Sequence, residues 1–146
     1  MSEQSGEMDL TARETFPRWT PVTMRYSDQD EMGHVNNVAI AAYIEAARTM
    51  FLKDLMDRFP MPAVDFVLAR LAIDYHQEIF YPGTVEVGAR AVEAGTKSLV
   101  TGYGVFFQDR CIATAQCVNV CFDMDARASV PLPDAMRRDI AAQICL

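Results

Sequence analysis

Residues 24–48 read MRYSDQDEMGHVNNVAIAAYIEAAR, a dense polar cluster that runs without a break into an almost continuous apolar segment. The second half decides the fold. From Val38 to about Phe59 the chain is rich in Ala, Leu, Met, Glu and Arg, Pro60 stops it, and an asparagine stands just before it as a natural N-cap. This predicts a helix. Within VAIAAYIEAARTMFL only Glu45, Arg48 and Thr49 interrupt apolar or small residues, so the N-terminal half is expected to be enclosed on nearly every side. The remainder, KDLMDRF, is amphipathic and is expected to emerge into water. Glu45 and Arg48, three apart on one helix face, are expected to pair with each other.

Working outward, WTPVTMRY before the cluster alternates as a first strand, with Pro21 where an edge or strand start tolerates it. After Pro62 the pattern is one of strands: VDFVLARLAIDYHQEI, a turn at YPG, TVEVGARAVEA, a turn at residues 95–97, SLVTGYGVFF, a turn at Gln108-Asp109, and RCIATAQCVNVCFDMDA. The short connections imply antiparallel pairing of successive strands. SVPLPDAMRRDIAAQICL closes the chain as a proline-containing turn and a short helix. The prediction is an α+β domain: a strand, one long central helix, and a curved antiparallel sheet wrapped around it. Residues 1–15 are polar and expected to form a disordered tail, leaving 16–146 as the single folded domain. Edge strands in such a sheet are commonly managed by pairing with a second copy.

A net charge of −7 would repel a polyanion, and no long basic run offsets it, so a nucleic-acid partner is not expected. No apolar run reaches the length of a membrane span, and the N-terminus has neither basic n-region nor apolar h-region, so a cytoplasmic protein is expected. The cysteines, Cys111, Cys117, Cys121 and Cys145, show no C-x-x-C spacing and read as buried thiols in a reducing compartment.

Three readings compete for the polar cluster. DQDEMG begins like a calcium loop, with Asp28, Asp30 and Gly33 in place, but Met32 and Ala39 stand where oxygen ligands belong. Zinc lacks ligands as well, so no metal is expected. A helix cap explains Asn36 or Asn37 but not both aspartates, Gly33 and His34. A catalytic site uses all of them. Gly33 lets the backbone approach a ligand, the first helical turn offers free N–H groups to a carbonyl, and a nearby carboxylate attacks that carbonyl or activates water. That is the equipment for acyl transfer.

The pattern D-x-D-x-x-G-H-V-N-N followed by Y-x-E-x-A-R resembles the hotdog-fold acyl-CoA thioesterases of the 4-hydroxybenzoyl-CoA thioesterase-like superfamily, and is also similar to the corresponding motif of acyl-ACP thioesterases. The resemblance implies a hotdog fold and hydrolysis of an acyl thioester to a free acid and CoA. It makes Asp30 the nucleophile or general base and Asn37 the source of the amide that polarises the carbonyl. His34 and Glu78 complete the implied catalytic set, while Gly33, Val35, Asn36, Ile40 and Tyr43 would touch substrate. By strand periodicity Asp74, His76 and Glu78 share one face, which would bring Glu78 to the loop. Two positions depart from the pattern of the relatives: Ile40 where many carry an aromatic, and Met32 where the acyl-ACP branch has asparagine.

The implied substrate is an acyl-CoA or alternatively an acyl carrier protein thioester, with CoA as part of the substrate and no other cofactor. The implied assembly is a homodimer or a dimer of dimers, a homotetramer. Arg90, Lys97, Arg110 and Arg127 are the candidates to meet CoA's phosphates. Alternatives on the same fold are an enoyl-CoA hydratase or dehydratase and a non-catalytic acyl-CoA-binding module.

Overall fold

The computed structural model describes residues 8–145. Strand β1 (Arg18–Thr23) leads through the polar loop into helix α1 (Asn37–Arg58). Then follow β2 (Val64–Tyr75), β3 (Thr84–Ala94), β4 (Ser98–Phe107), β5 (Arg110–Asp123), the two-residue β6 (Ala128–Ser129) and helix α2 (Asp134–Ile144). The strands form one antiparallel sheet in the order β1-β3-β4-β5-β2, with β6 beside β5. The sheet curves round α1, as the hotdog expectation requires.

Helix α1 buries Ala39, Ile40, Tyr43, Ile44, Ala47, Phe51, Leu52 and Leu55, a stripe with spacings of three and four. The stripe packs in the same core as Val85, Val87, Val105 and Ile112 from β3, β4 and β5, all fully buried. Close packing of this kind makes a truncation such as Leu55→Ala cost about 2–5 kcal/mol.

Four expectations change. First, β2 and β3 are joined by the turn that ends in YPG but do not pair: β2 lies beside β5 at one end of the sheet, and β3 lies beside β1 near the other. Residues 76–83 cross between them over the mouth of α1. Apolar anchoring explains the route: Ile79 is buried, the Val35 N–H donates to its carbonyl at 2.9 Å, and His34 and Phe80 form an isolated bridge.

Second, the N-terminal half of α1 is not enclosed all round. Val38 is 77% exposed, and Ala42, Glu45, Thr49 and Met50 continue an open stripe. Third, Glu45 and Arg48 do not pair. The buried Asn119 of β5 needs an electrostatic partner, and Arg48 Nε donates to its Oδ1 at 2.7 Å. Glu45 has no ion-pair partner among the described residues.

Fourth, residues 8–15 are not a loose tail, while residues 1–7 lie outside the described residues. A 3-10 turn at Arg13–Thr15 leads to Phe16, which is buried on the sheet. A Cβ on Gly88 would come within 2.5 Å of the Phe16 ring, so only glycine lets the ring seat there. Arg13 lies over Trp19 at 4.4 Å and bonds to Glu86 at 2.9 Å.

Among the cysteines, all free thiols, only Cys117 and Cys121 are buried, and burial pushes both pKa values up, whereas Cys111 is half-buried and Cys145, past the end of α2, is exposed. Among the described residues, no helix is long and apolar enough to cross a membrane.

Candidate active site at the mouth of the central helix

The loop from Met24 to Asn36 is built around two aspartates with different tasks. Asp28 is buried and fully engaged. Its carboxylate accepts from the Tyr43 hydroxyl at 2.6 Å, from the Arg25 N–H at 2.9 Å, and from the Arg25 guanidinium at 3.1 and 3.2 Å. Its carbonyl accepts from the Asn36 N–H at 2.9 Å. One residue thereby ties the start of the loop, its end and the second turn of α1 together. Burial works to raise the Asp28 pKa, but the bonds from Tyr43 and Arg25 outweigh it and hold the carboxyl below its ordinary value. For Tyr43, burial first and then the Asp28 bond and charge push the hydroxyl well above its usual range.

Asp30 is exposed and lies on a turn of its own making. Its Oδ1 accepts from the Met32 N–H at 2.9 Å and the His34 N–H at 3.0 Å, while the Asp30 N–H donates to the His34 carbonyl at 2.8 Å. Gly33 closes the turn at φ +85, in the left-handed region where a side chain is disfavoured. The second carboxylate oxygen, Oδ2, accepts no hydrogen bond among the described residues.

At the start of α1, the Asn36 side chain caps the helix by accepting from the Ala39 N–H at 2.8 Å, and the Asn36 N–H itself donates to Asp28. The N–H groups of Asn37 and Val38 meet no acceptor among the described hydrogen bonds. They are the free donors of the first turn, at the positive end of the helix dipole.

A cavity of about 280 Å³ opens beside these donors, lined by Asp30, His34, Val35, Asn37, Ile40, Tyr75, His76, Gln77 and Glu78. His34 Nε2 lies 3.1 Å from Glu78 Oε1, and the ring meets Phe80 edge-on at 5.1 Å. That contact is an ion pair when the imidazole is protonated and a hydrogen bond when a neutral ring carries its proton on Nε2. Among the described residues, no group of three His, Cys, Asp or Glu side chains is placed to hold a metal ion.

The cavity thus brings together Asp30, His34, Asn37 and Glu78, with Val35 and Ile40 on its wall. Gly33 and Asn36 belong to the loop and cap rather than to the lining. Tyr43 is buried on Asp28, away from the cavity wall. Strand periodicity does not place Glu78, because β2 ends at Tyr75. Asp74 faces a different depression, with Arg70 and Thr114. Instead the crossing segment carries His76, Gln77 and Glu78 past the helix mouth. His76 Nε2 sits 3.0 Å from Thr114 Oγ1. Tyr75 and Gln77 join the lining without having stood out in the sequence. Tyr75 donates to the Asn37 carbonyl at 3.2 Å, and only the end of the strand just after it could have signalled that role.

The model of the Thioesterase-like superfamily matches residues 24–140, from the start of the polar loop into the last helix. The chain belongs to that superfamily. Among solved structures that this superfamily member resembles, a thioesterase from Thermus thermophilus, complexed with coenzyme A and Zn, is 32% identical with a TM-score of 0.75, covering 90% of this chain and 97% of the other. The PA5185 protein of Pseudomonas aeruginosa PAO1 is 25% identical with a TM-score of 0.77, covering 90% and 94%. A DHNA-CoA thioesterase from Staphylococcus aureus, 20% identical with a TM-score of 0.74 over 87% and 89% of the two chains, shares the fold. No curated protein sequence matches this one.

Proposed function

We propose that this superfamily member is an acyl-CoA thioesterase whose reaction takes place in the cavity at the mouth of α1. The observation that carries the proposal is the shared lining of Asp30 and Asn37. A carboxylate with one unengaged oxygen lines the same cavity as Asn37, whose helix-start N–H has no protein acceptor among the described residues. The Asn37 N–H receives the thioester oxygen and holds the charge that develops on it. Asp30 then acts through Oδ2 in one of two ways. As nucleophile it forms a mixed anhydride at the carbonyl carbon, the CoA thiolate leaves, and water hydrolyses the anhydride to regenerate the carboxylate. As general base it takes a proton from water while the oxygen of that water attacks the carbonyl, the tetrahedral intermediate then collapses by breaking the C–S bond, and the proton on Asp30 passes to the departing sulfur or to solvent. Glu78, paired with His34 on the lining of the same cavity, orients the water in either case. The thiolate is a good leaving group.

Coenzyme A in the Thermus thermophilus structure supports a CoA thioester as the substrate class. The test is release of free thiol from a panel of aromatic and aliphatic acyl-CoAs. Thiol release establishes hydrolysis. Consumption of an enoyl-CoA without thiol would point to hydration, and CoA binding with no turnover across the panel would point to a binding module.

The working unit we propose is a homodimer formed through the free edge of β2. That strand runs twelve residues with no proline and exposes Val67, Leu68, Leu71 and Tyr75, whereas the other edge strand, β1, is short and carries Pro21. Beside β2 an apolar groove of about 260 Å³ is lined by Val38, Ala41, Ala42, Leu68, Leu71, Glu45 and Arg48. Arg48 Nη2 is buried there without a hydrogen-bond partner, and Glu45 lacks an ion-pair partner among the described residues. A second copy related by a two-fold axis covers the apolar surface. Leu71→Glu is expected to convert the dimer to a monomer in sedimentation equilibrium. An unchanged mass would place the interface elsewhere.

A further inference from the structure

Four basic residues are candidates to meet CoA's phosphates, and the fold separates them. Arg90 is used up structurally. Its guanidinium donates to the carbonyls of Ala91 and Thr15, each at 3.0 Å, and to those of Gln143 and Ile144 at 3.5 and 3.3 Å, where it caps the end of α2. Lys97 and Arg127 lie at the wrong end of the sheet. Lys97 adjoins Ser98, which pairs with Val120, and Arg127 follows Asp123, which pairs with Val64 at the start of β2. The cavity lies where β2 ends, at Tyr75 opposite Ala113. At about 3.3 Å per residue, the two ends of β2 are roughly 35 Å apart.

Arg110 opens β5 at the cavity's end of the sheet. Its Nη1 donates to Gln77 Oε1 at 2.7 Å, and Gln77 lines the cavity. Arg110 is exposed and has no carboxylate partner among the described residues. The neighbouring Asp109 has Arg13 at 3.8 Å. The Arg110 guanidinium also lies 6.0 Å from the Phe107 ring centroid. That ring closes over Gly83, where a Cβ would stand 2.6 Å away, and so adjoins the turn carrying Tyr81, whose ring meets that of Tyr26 edge-on at 5.8 Å. Phe107 thus stands between the Arg110 cation and the turn that carries the exposed Tyr81, with the exposed Tyr26 against it.

We infer that Arg110 is the phosphate contact of the substrate's carrier group, and that it makes the enzyme prefer a phosphorylated carrier over an unphosphorylated one. An exposed guanidinium with no carboxylate partner suits a phosphoryl oxygen, and the tyrosine pair offers apolar surface to a nucleotide base. A carrier held there would extend its thioester arm past Gln77 toward Asp30. The inference rests on the thioesterase reading given above.

The test compares acyl-CoA with the acyl-pantetheine thioester of the same acid, which has no phosphate. In Arg110→Gln, kcat/KM for acyl-CoA should fall about tenfold or more relative to acyl-pantetheine, through KM, and Arg110→Lys should recover part of the preference. Raising salt should erode the preference in the wild type more than in Arg110→Gln. An unchanged ratio between the two substrates, in variants with wild-type melting temperature, overturns the inference. If the wild type hydrolyses neither substrate, it is the thioesterase reading that has failed. Calorimetric binding of CoA and of 3′-phospho-ADP then decides the matter: weaker binding of both to Arg110→Gln supports the contact, and equal binding overturns it.

Discussion

Asp30→Asn should lower kcat for acyl-CoA hydrolysis by at least about 10³-fold, while the KM changes little. The substitution keeps the shape of the side chain and an oxygen that can accept from the N–H groups of Met32 and His34, so the turn at Gly33 should survive. It removes the basic, nucleophilic oxygen. Loss of kcat with a preserved KM is the signature of an interaction that acts in the transition state rather than in binding. A variant that hydrolyses acyl-CoA at the wild-type rate would remove Asp30 from the chemistry altogether. The two roles of Asp30 can be told apart by single turnover in ¹⁸O-labelled water together with rapid quench. Label in the Asp30 carboxylate, with the Asp30 oxygen carried off in the first acid released, establishes attack by Asp30 followed by water opening the anhydride at the Asp30 carbonyl. An unlabelled carboxylate with ¹⁸O in the acid is the result for a general base and equally for an anhydride opened at the acyl carbonyl, and trapping the acyl-enzyme by rapid quench separates those two.

Tyr43→Phe is expected to cost about 2 kcal/mol of stability, which corresponds to a drop of roughly 6 °C in melting temperature for a chain of this size. The hydroxyl lies on a buried carboxylate, and its removal leaves Asp28 to the Arg25 bonds alone. The effect should depend on pH with a definite sign. The Asp28 pKa is lower folded than unfolded, so the stability it contributes is fully present above the unfolded value, near 3.9, and is lost as pH falls through the lower folded value. Tyr43→Phe removes one of the bonds that depress it. The gap in melting temperature between wild type and variant should therefore be widest near neutral pH and narrow on acidification below about pH 4. A gap that is constant from pH 7 to pH 3 would mean that the tyrosine stabilises by packing, not through Asp28.

The helix and four of the strands can be read from local pattern because each obeys a single period. TVEVGARAVEA and SLVTGYGVFF coincide with β3 and β4, and Pro60 falls two residues past the end of α1. The path between β2 and β3 cannot be read, since a connection this short suits a hairpin equally well. What selects the crossing is a tertiary contact, Ile79 with Val35, between residues far apart in the chain. The same limit applies to the site. Asp30, His34 and Asn37 lie within one motif and are visible together. The partnership of His34 with Glu78, and the meeting of Tyr75 and Gln77 with the helix mouth, depend on where that segment crosses. Sequence distance pairs Arg48 with Glu45, yet a buried asparagine on β5 claims it instead.

The crossing segment also bears on how this protein could change substrate over evolutionary time. His76, Gln77 and Glu78 supply one wall of the cavity, yet they lie beyond the last residue of β2 and outside any strand ladder. Replacing them disturbs no core side chain, because the anchor of the segment is the neighbouring Ile79. On the opposite wall, the helix-start donors and the turn bearing Asp30 are fixed from within the fold by Asp28. The two walls of the cavity are thus encoded in separate stretches of sequence. Mutations at positions 76 and 77 can be sampled by drift or by a library with little loss of folded protein, while Glu78 stays tied to His34.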